Sequence, residues 1–244
     1  MNIEAGLKYY KDLNIEINNA FETTNEVILD DVNGQRYIGC GLGDNRKIII
    51  NGTPGNDLAA YIDGGSIEVF GNGQEAAGNT MNRGRIVIHG SVGDALGYAM
   101  RGGEIYIEGN VGFRCGIHMK EFGEAKPLIV IGGSAGSFLG EYMAGGRIIL
   151  LGINADEKKG IMGDYCGTGI HGGMMYIRGD FKTENLSREI FSEECDENDY
   201  IEIEKYVKIY CECFDNNYRN ILDSKFTKLR AASKRPYGNM YTAN

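Results

Sequence analysis

Between Lys47 and Arg178 the chain returns repeatedly to a short run in which every second residue is apolar. The pairs are Ile67 and Val69, Ile86 and Ile88, Ile105 and Ile107, Leu128 and Val130, Ile148 and Leu150, and Met175 and Ile177. Apolar residues two apart lie on one side of a β-strand, so each pair is expected to face a common core. The residues between and beside them, Glu68, Phe70, Val87, His89, Tyr106 and Glu108, are mixed, as an outer face would be.

The runs also keep time. Anchored two residues before the first inward position, they start at Arg46, Gly65, Gly84, Gly103, Lys126, Gly146 and Gly173, with steps of 19, 19, 19, 23, 20 and 27 residues. The surplus lies in KEFGEAK, before Pro127, and INADEKK, before Gly160. The connecting halves repeat as well: GSVGDALGYAM, GNVGFRCGIHM and GSAGSFLGEYM share glycine and methionine positions, and GTPGNDLAAYI and GIMGDYCGTGI keep the frame. Self-similarity near twenty residues predicts a solenoid. A leucine-rich repeat needs a leucine framework and a helical half, and these glycine-rich connections disfavour helix. The prediction is an all-β solenoid, a parallel β-helix of about seven coils, with Gly65, Gly84, Gly103, Gly146 and Gly173 as structural turns where the backbone leaves no room for a Cβ.

The flanks change character. Before Asn33 the only glycine is Gly6, and after Gly179 the only one is Gly238. Residues 1–32 read as an N-terminal cap: EAGLKYYKDLNIEINNAF suits an amphipathic helix and NEVILDDV a first strand. Residues 33–180 hold the coils. Residues 181–244 read as a tail, helical around EECDENDYIEIEKYVKIYCECF and extended after it, that braces or caps the open end.

Composition narrows the function. The 244 residues carry 37 Gly against 3 Pro and a net charge of −9, so the glycine is placed by structure and the surface is not that of a nucleic-acid binder. No stretch approaches the ~18 unbroken apolar residues of a membrane span, and the N-terminal segment has no signal-like apolar core. A cytoplasmic location with reduced thiols is the expectation.

Candidate chemistry is sparse. The glycine clusters at Gly39 to Gly43 and Gly132 to Gly136 lack the strand, turn and helix of a phosphate-binding loop. Cys115 with His118, and Cys166 with His171, invite a metal reading. The cysteines fall at one step of the repeat two coils apart, about 10 Å, too far to share an ion, and a thiol packed inside the coil is the plainer alternative. Cys211 and Cys213 lie on different faces of the tail helix, and His89 points outward alone. Ile129, Ile131, Ile149 and Leu151 would form an outward apolar patch, to be covered by the tail or by a partner subunit. No nucleophile, base and orienting group come together, and no catalytic, cofactor or metal-binding residue is assigned.

The coils, the stretch DVNGQRYIGCG and the segment GNTMNRGRIVIHGSVGDALGYAMRGG resemble the C-terminal GXGXG domain of the glutamate synthase large subunit, here in its stand-alone form; KRPYG is similar to the tail of the stand-alone proteins. One of the subunits of formylmethanofuran dehydrogenase shares the repeat. The resemblance implies a right-handed β-helix without catalytic residues, which braces the glutaminase domain against the domain carrying FMN and an iron–sulfur cluster. The chain begins Met1-Asn2-Ile3, without a cysteine nucleophile, and has no FMN barrel or iron–sulfur cysteine cluster. The implied role is a scaffold in glutamate synthesis, with glutaminase and FMN-binding subunits as partners. The alternatives are a homo-oligomeric structural or binding protein and a subunit of a formylmethanofuran dehydrogenase-like complex.

Overall fold

The computed structural model describes residues 1–153, 155 and 160–233. The KRPYG stretch and most of the INADEKK insertion lie outside them. One eleven-stranded sheet runs the length of the molecule. It opens with β1 (Asn2–Glu4) beside β2 (Glu26–Asn33), and α1 (Tyr10–Ala20) lies between them in sequence. The short strand ahead of α1 was not anticipated. Then follow β3 (Lys47–Thr53), β4 (Asp63–Phe70), β5 (Arg83–Ile88), β6 (Glu104–Ile107), β7 (Leu128–Ile131), β8 (Ala144–Leu150) and β9 (Gly172–Arg178). All of these pair in parallel with their neighbours in sequence. Parallel strands joined by short irregular connections that re-enter the same sheet make a β-solenoid.

The solenoid makes about six turns, slightly fewer than the seven coils expected. Its second face is a ladder of single bridges through Gly73, Val92, Val111, Ala135 and Met162, so the first and last windings have a main sheet strand without a complete second rung.

The corner between the two faces shows why the repeat is so strict. Ala95, Gly97 and Ala99 all have left-handed φ, at 58, 66 and 51°. Two turns follow one another directly, closed by Tyr98 N–H to Ala95 O and Met100 N–H to Gly97 O, both 3.1 Å. Each turn has positive φ at its third residue, the type II pattern. The remaining amides of the corner donate to neighbouring coils in alternate directions. Ala95 donates forward to Phe113 O, Gly97 back to Ala77 O, and Ala99 forward to Ile117 O. A Cβ on Gly97 would come within 2.6 Å of Ile129 Cδ1, which fills the coil interior behind it. The same corner recurs from Tyr37 to Gly169.

Inside, side chains stack in columns along the axis. One contains Ile38, Leu58, Ala77, Leu96, Cys115, Leu139 and Cys166, all essentially inaccessible to solvent. Another contains Leu42, Ile62, Met81, Met100, Met119, Met143 and Ile170. Ile67, Val69, Ile86, Ile88, Ile105 and Ile107 supply the sheet side, as the alternation predicts.

At β7 the expected register is wrong by one residue. Ile105 pairs with Ile129 and Ile107 with Ile131, so Ile129 and Ile131 point into the solenoid while Leu128 and Val130 point out. All four residues of β7 are apolar, so alternation carries no information there, and the insertion before Pro127 removes the spacing that would have fixed the frame. The true anchor is Pro127, whose carbonyl lies beneath Gly146, nineteen residues on.

The far end closes differently. Strand β11 (Phe226–Ala231) runs antiparallel to β9, and β10 (Ile190–Glu194) antiparallel to β11. The 18-residue α2 (Glu197–Phe214) lies across the outside of the sheet on the way from β10 to β11. Its start is fixed by a capping box in which Asp196 accepts from the Asn198 and Asp199 amides and Asp199 accepts from the Asp196 amide.

Gly65, Gly84, Gly103, Gly146 and Gly173 all have left-handed φ, from +61 to +102°. At Gly103 (φ +80°) a Cβ would collide with the Met81 methyl and lie 2.9 Å from Gly84 O. Gly103→Val is expected to cost about 3 kcal/mol from strain and clash together. Denaturant unfolding measures this, and an unchanged midpoint would mean the corner is not tightly held.

Candidate interaction surface

The outer apolar patch is larger than the sequence suggests, and it is covered. Val87, Tyr106, Leu128, Val130, Ile149, Leu151 and Tyr176 form its floor; Ile203, Val207, Tyr210, Cys211 and Phe214 of α2 form the lid. Ile149 and Leu151 are fully buried there, whereas Ile129 and Ile131 belong to the interior. The cover is thus the chain's own tail. Residues 203, 207, 210, 211 and 214 are spaced so that they share one face of the helix. Cys211 lies on that face and Cys213 toward its edge.

The lid is clamped by charge as well as by apolar contact. Arg147, 8% exposed, donates from Nε to Glu202 at 3.0 Å and from Nη1 to Glu121 at 3.3 Å. Tyr176 donates from its hydroxyl to Asp199 at 2.9 Å, with Glu202 at 3.0 Å. Lys228 of β11 reaches Asp199 at 2.7 Å and Glu193 at 3.2 Å. Burial tends to raise the Asp199 carboxyl, but the Lys228 ammonium, the Asp196 amide and the Tyr176 hydroxyl outweigh it and hold it below its ordinary range. The Lys228 ammonium is raised, first by its bond to Asp199. These residues escaped the sequence reading because they come together from strands and a helix far apart in the chain; only Asp196 and Asp199, at capping-box spacing, gave a local signal.

The expected chemistry resolves into packing. Cys115 and Cys166 lie in one interior column with Leu139 between them, and burial pushes Cys166 up to about 12 and Cys115 higher. Both are therefore protonated, inert thiols. His118 is three residues past Cys115 and on the other side of the coil wall, stacked on Tyr142 at 5.2 Å. His171 is exposed while Cys166 is not. Among the described residues, no group of His, Cys, Asp or Glu is arranged to hold a metal ion. His89 does face outward, but it is not alone: it stacks on Phe70 at 4.5 Å, meets the edge of Phe214 at 5.1 Å and lies 3.2 Å from Glu68. The glycines from Gly39 to Gly43 build the first corner and those from Gly132 to Gly136 leave β7; no helix starts at either.

Beyond the face that α2 covers, a row of exposed aromatic residues follows the double-turn corner, while Tyr9, Phe70, Phe122 and Phe191 are exposed elsewhere. Tyr61, Tyr98, Phe113, Tyr142 and Tyr165 are 38 to 59% exposed. Phe138 and Tyr165 stack at 5.1 Å and Arg114 lies over Phe138 at 4.7 Å, so neighbouring coils hold these rings in place. No described helix is long and apolar enough to cross a membrane.

The GXGXG motif family matches residues 2–233. An uncharacterized protein of Methanocaldococcus jannaschii is 42% identical over 251 residues, covering 98% of this chain and 95% of the relative.

Two outcomes test the lid. Replacing Leu128 and Ile149 together by Asp places two unpaired carboxylates under α2 and is expected to cost about 3 kcal/mol or more, with new proteolytic cleavage within residues 190–215. A wild-type melting curve and cleavage pattern would show that α2 is not bound there. Asp199→Asn is expected to destabilise by about 3 kcal/mol at neutral pH. Because the folded carboxyl titrates below its ordinary value, 3.8, the charged form's contribution is complete above that pH and fades as pH falls further, so the gap to wild type closes in acid. A gap independent of pH would remove the ion pair from the explanation.

Proposed function

Starting from the premise that this chain belongs to the GXGXG motif family, we propose that it is a non-catalytic scaffold subunit of a glutamate synthase-type complex in the cytoplasm. In this reading glutaminase chemistry, FMN and the iron–sulfur cluster reside on partner subunits, and this chain holds them in register. The family match, which runs through the caps as well as the coils, supports the reading. The observation that carries it is the aromatic corner. A scaffold needs a rigid surface with exposed anchoring groups, and Tyr, Phe and Arg are enriched at protein interfaces, Tyr and Arg among the residues that contribute most. Here they are fixed by left-handed turns that both neighbouring coils hold by hydrogen bonds. Several groups with intrinsic reactivity are, by contrast, engaged in the fold, Cys115 and Cys166 in the core and His118 and His89 against rings, while Cys40 and His171 are exposed.

Purification of the tagged chain from its source cell is expected to bring down a glutaminase subunit and an FMN-binding subunit in stoichiometric amounts. Tyr98→Glu with Phe113→Glu, on adjacent coils of the corner, is expected to melt like wild type and lose at least tenfold in partner retention. The chain by itself is expected to show neither glutaminase activity nor a flavin spectrum. A flavin that survives gel filtration of the isolated chain refutes the non-catalytic reading. A corner variant that changes only the self-association of the chain favours the homo-oligomer instead.

A further inference from the structure

The solenoid's own periodicity identifies a place where it is incomplete. In every later coil, the central N–H of the corner donates back to the preceding coil: Ala59 to Ile38 O, Gly78 to Leu58 O, Gly97 to Ala77 O, Gly116 to Leu96 O, Gly140 to Cys115 O and Gly167 to Leu139 O. Gly39 occupies this position in the first coil and has no coil behind it. It is buried, and its N–H has no acceptor among the described residues. The carbonyl of Arg36 has the reverse problem. Its counterparts accept from the preceding coil, as Glu75 O does from Asp57 N–H, and here Asn14 of α1 fills that role, donating from Nδ2 at 2.8 Å. The N-terminal helix thus completes one orphan of the open end and leaves the other.

The unfilled donor borders a cleft of about 390 Å³ between α1 and the first corner. That volume suits a small ligand. The walls are aromatic and apolar, with Tyr10, Phe21, Tyr37 and Leu42. Lys11 and Arg46 are its charges, and no carboxylate lines it, in a chain with 34 acidic residues. Arg46 lies over the Phe21 ring at 5.0 Å, and neither cation is paired with a carboxylate among the described residues. A buried amide donor, two cations and flat apolar walls around one cleft are complementary to an anion on a planar body.

We propose that this cleft binds a small aromatic or similarly flat anion, whose carboxylate or phosphate is taken by the Gly39 N–H together with Arg46 and Lys11. The ring lies among Tyr10, Phe21 and Tyr37, and the anion supplies the acceptor that the missing coil does not. The site belongs to the N-terminal end and does not depend on the scaffold reading, so either can fail without the other.

Backbone-amide NMR of the whole chain tests it with four probes: indole-3-acetate, phenyl phosphate, indole-3-acetamide and inorganic phosphate. At least one aromatic anion is expected to move the Gly39 amide proton downfield in a saturable way; which of the two binds more tightly decides between carboxylate and phosphate. The neutral acetamide and ring-free phosphate are expected to bind at least tenfold more weakly. Arg46→Gln, if it melts like wild type, is expected to lose tenfold or more; if it does not fold, Lys11→Gln, on the exposed side of α1, is measured instead. The proposal is overturned if neither aromatic anion shifts Gly39, if the neutral analogue binds as tightly, or if the folded variant binds like wild type.

Discussion

Everything in this molecule depends on one backbone constraint: the left-handed double turn at the corner must recur at the same place in every coil. Hydrogen bonds leave every corner after the first in both axial directions, so a coil that turned elsewhere would break bonds on both sides. The interior columns follow from it, because residues at a fixed distance from the turn land one above another. Non-glycine residues accept left-handed φ at several corners, including Tyr61, His118 and Tyr142. Such conformations cost on the order of 1 kcal/mol each. The neighbouring coils offset that cost by holding each turn from above and below.

The second element of order is α2. A solenoid sheet normally has one face to its interior and one to solvent, yet β6 to β9 carry apolar residues on both. The tail helix makes this possible by creating a second core outside the first, and it is secured by polar residues of β8, β9, β11 and α2 itself. Arg147 stands in register with Arg85, Glu104 and Leu128, and its two carboxylate partners come from the insertion before β7 and from α2 itself. The insertion therefore does more than lengthen a loop; it supplies Glu121 to the clamp.

The fold was legible in the sequence because its period is written directly in glycine and branched aliphatic residues. Where a run was apolar throughout, as in β7, the two faces could not be told apart, and the patch assigned to Ile129 and Ile131 moved to Leu128 and Val130. The pairing of Cys115 with His118 failed for a related reason: neighbours in sequence sit on opposite sides of a thin wall. The surface was less legible still. The clamp of Arg147, Tyr176, Asp199 and Lys228 joins residues up to 81 positions apart, and only the capping-box spacing of Asp196 and Asp199 marks any part of it locally.

The hairpin of β11 and β10 also changes the edge that the rod presents at its end. A stack of parallel coils is a template that another copy could extend indefinitely, as amyloid-like fibrils are extended. Here a hairpin follows the last coil: β11 runs against β9 and β10 against β11, and the edge left over among the described residues is the five-residue β10, bearing Glu193 and Glu194. The opposite end carries only the three-residue β1 beside α1. Two reversals restore the original direction, so β10 and β1 share one polarity, and what discourages edge-to-edge growth is the shortness of both edges and the two carboxylates on β10.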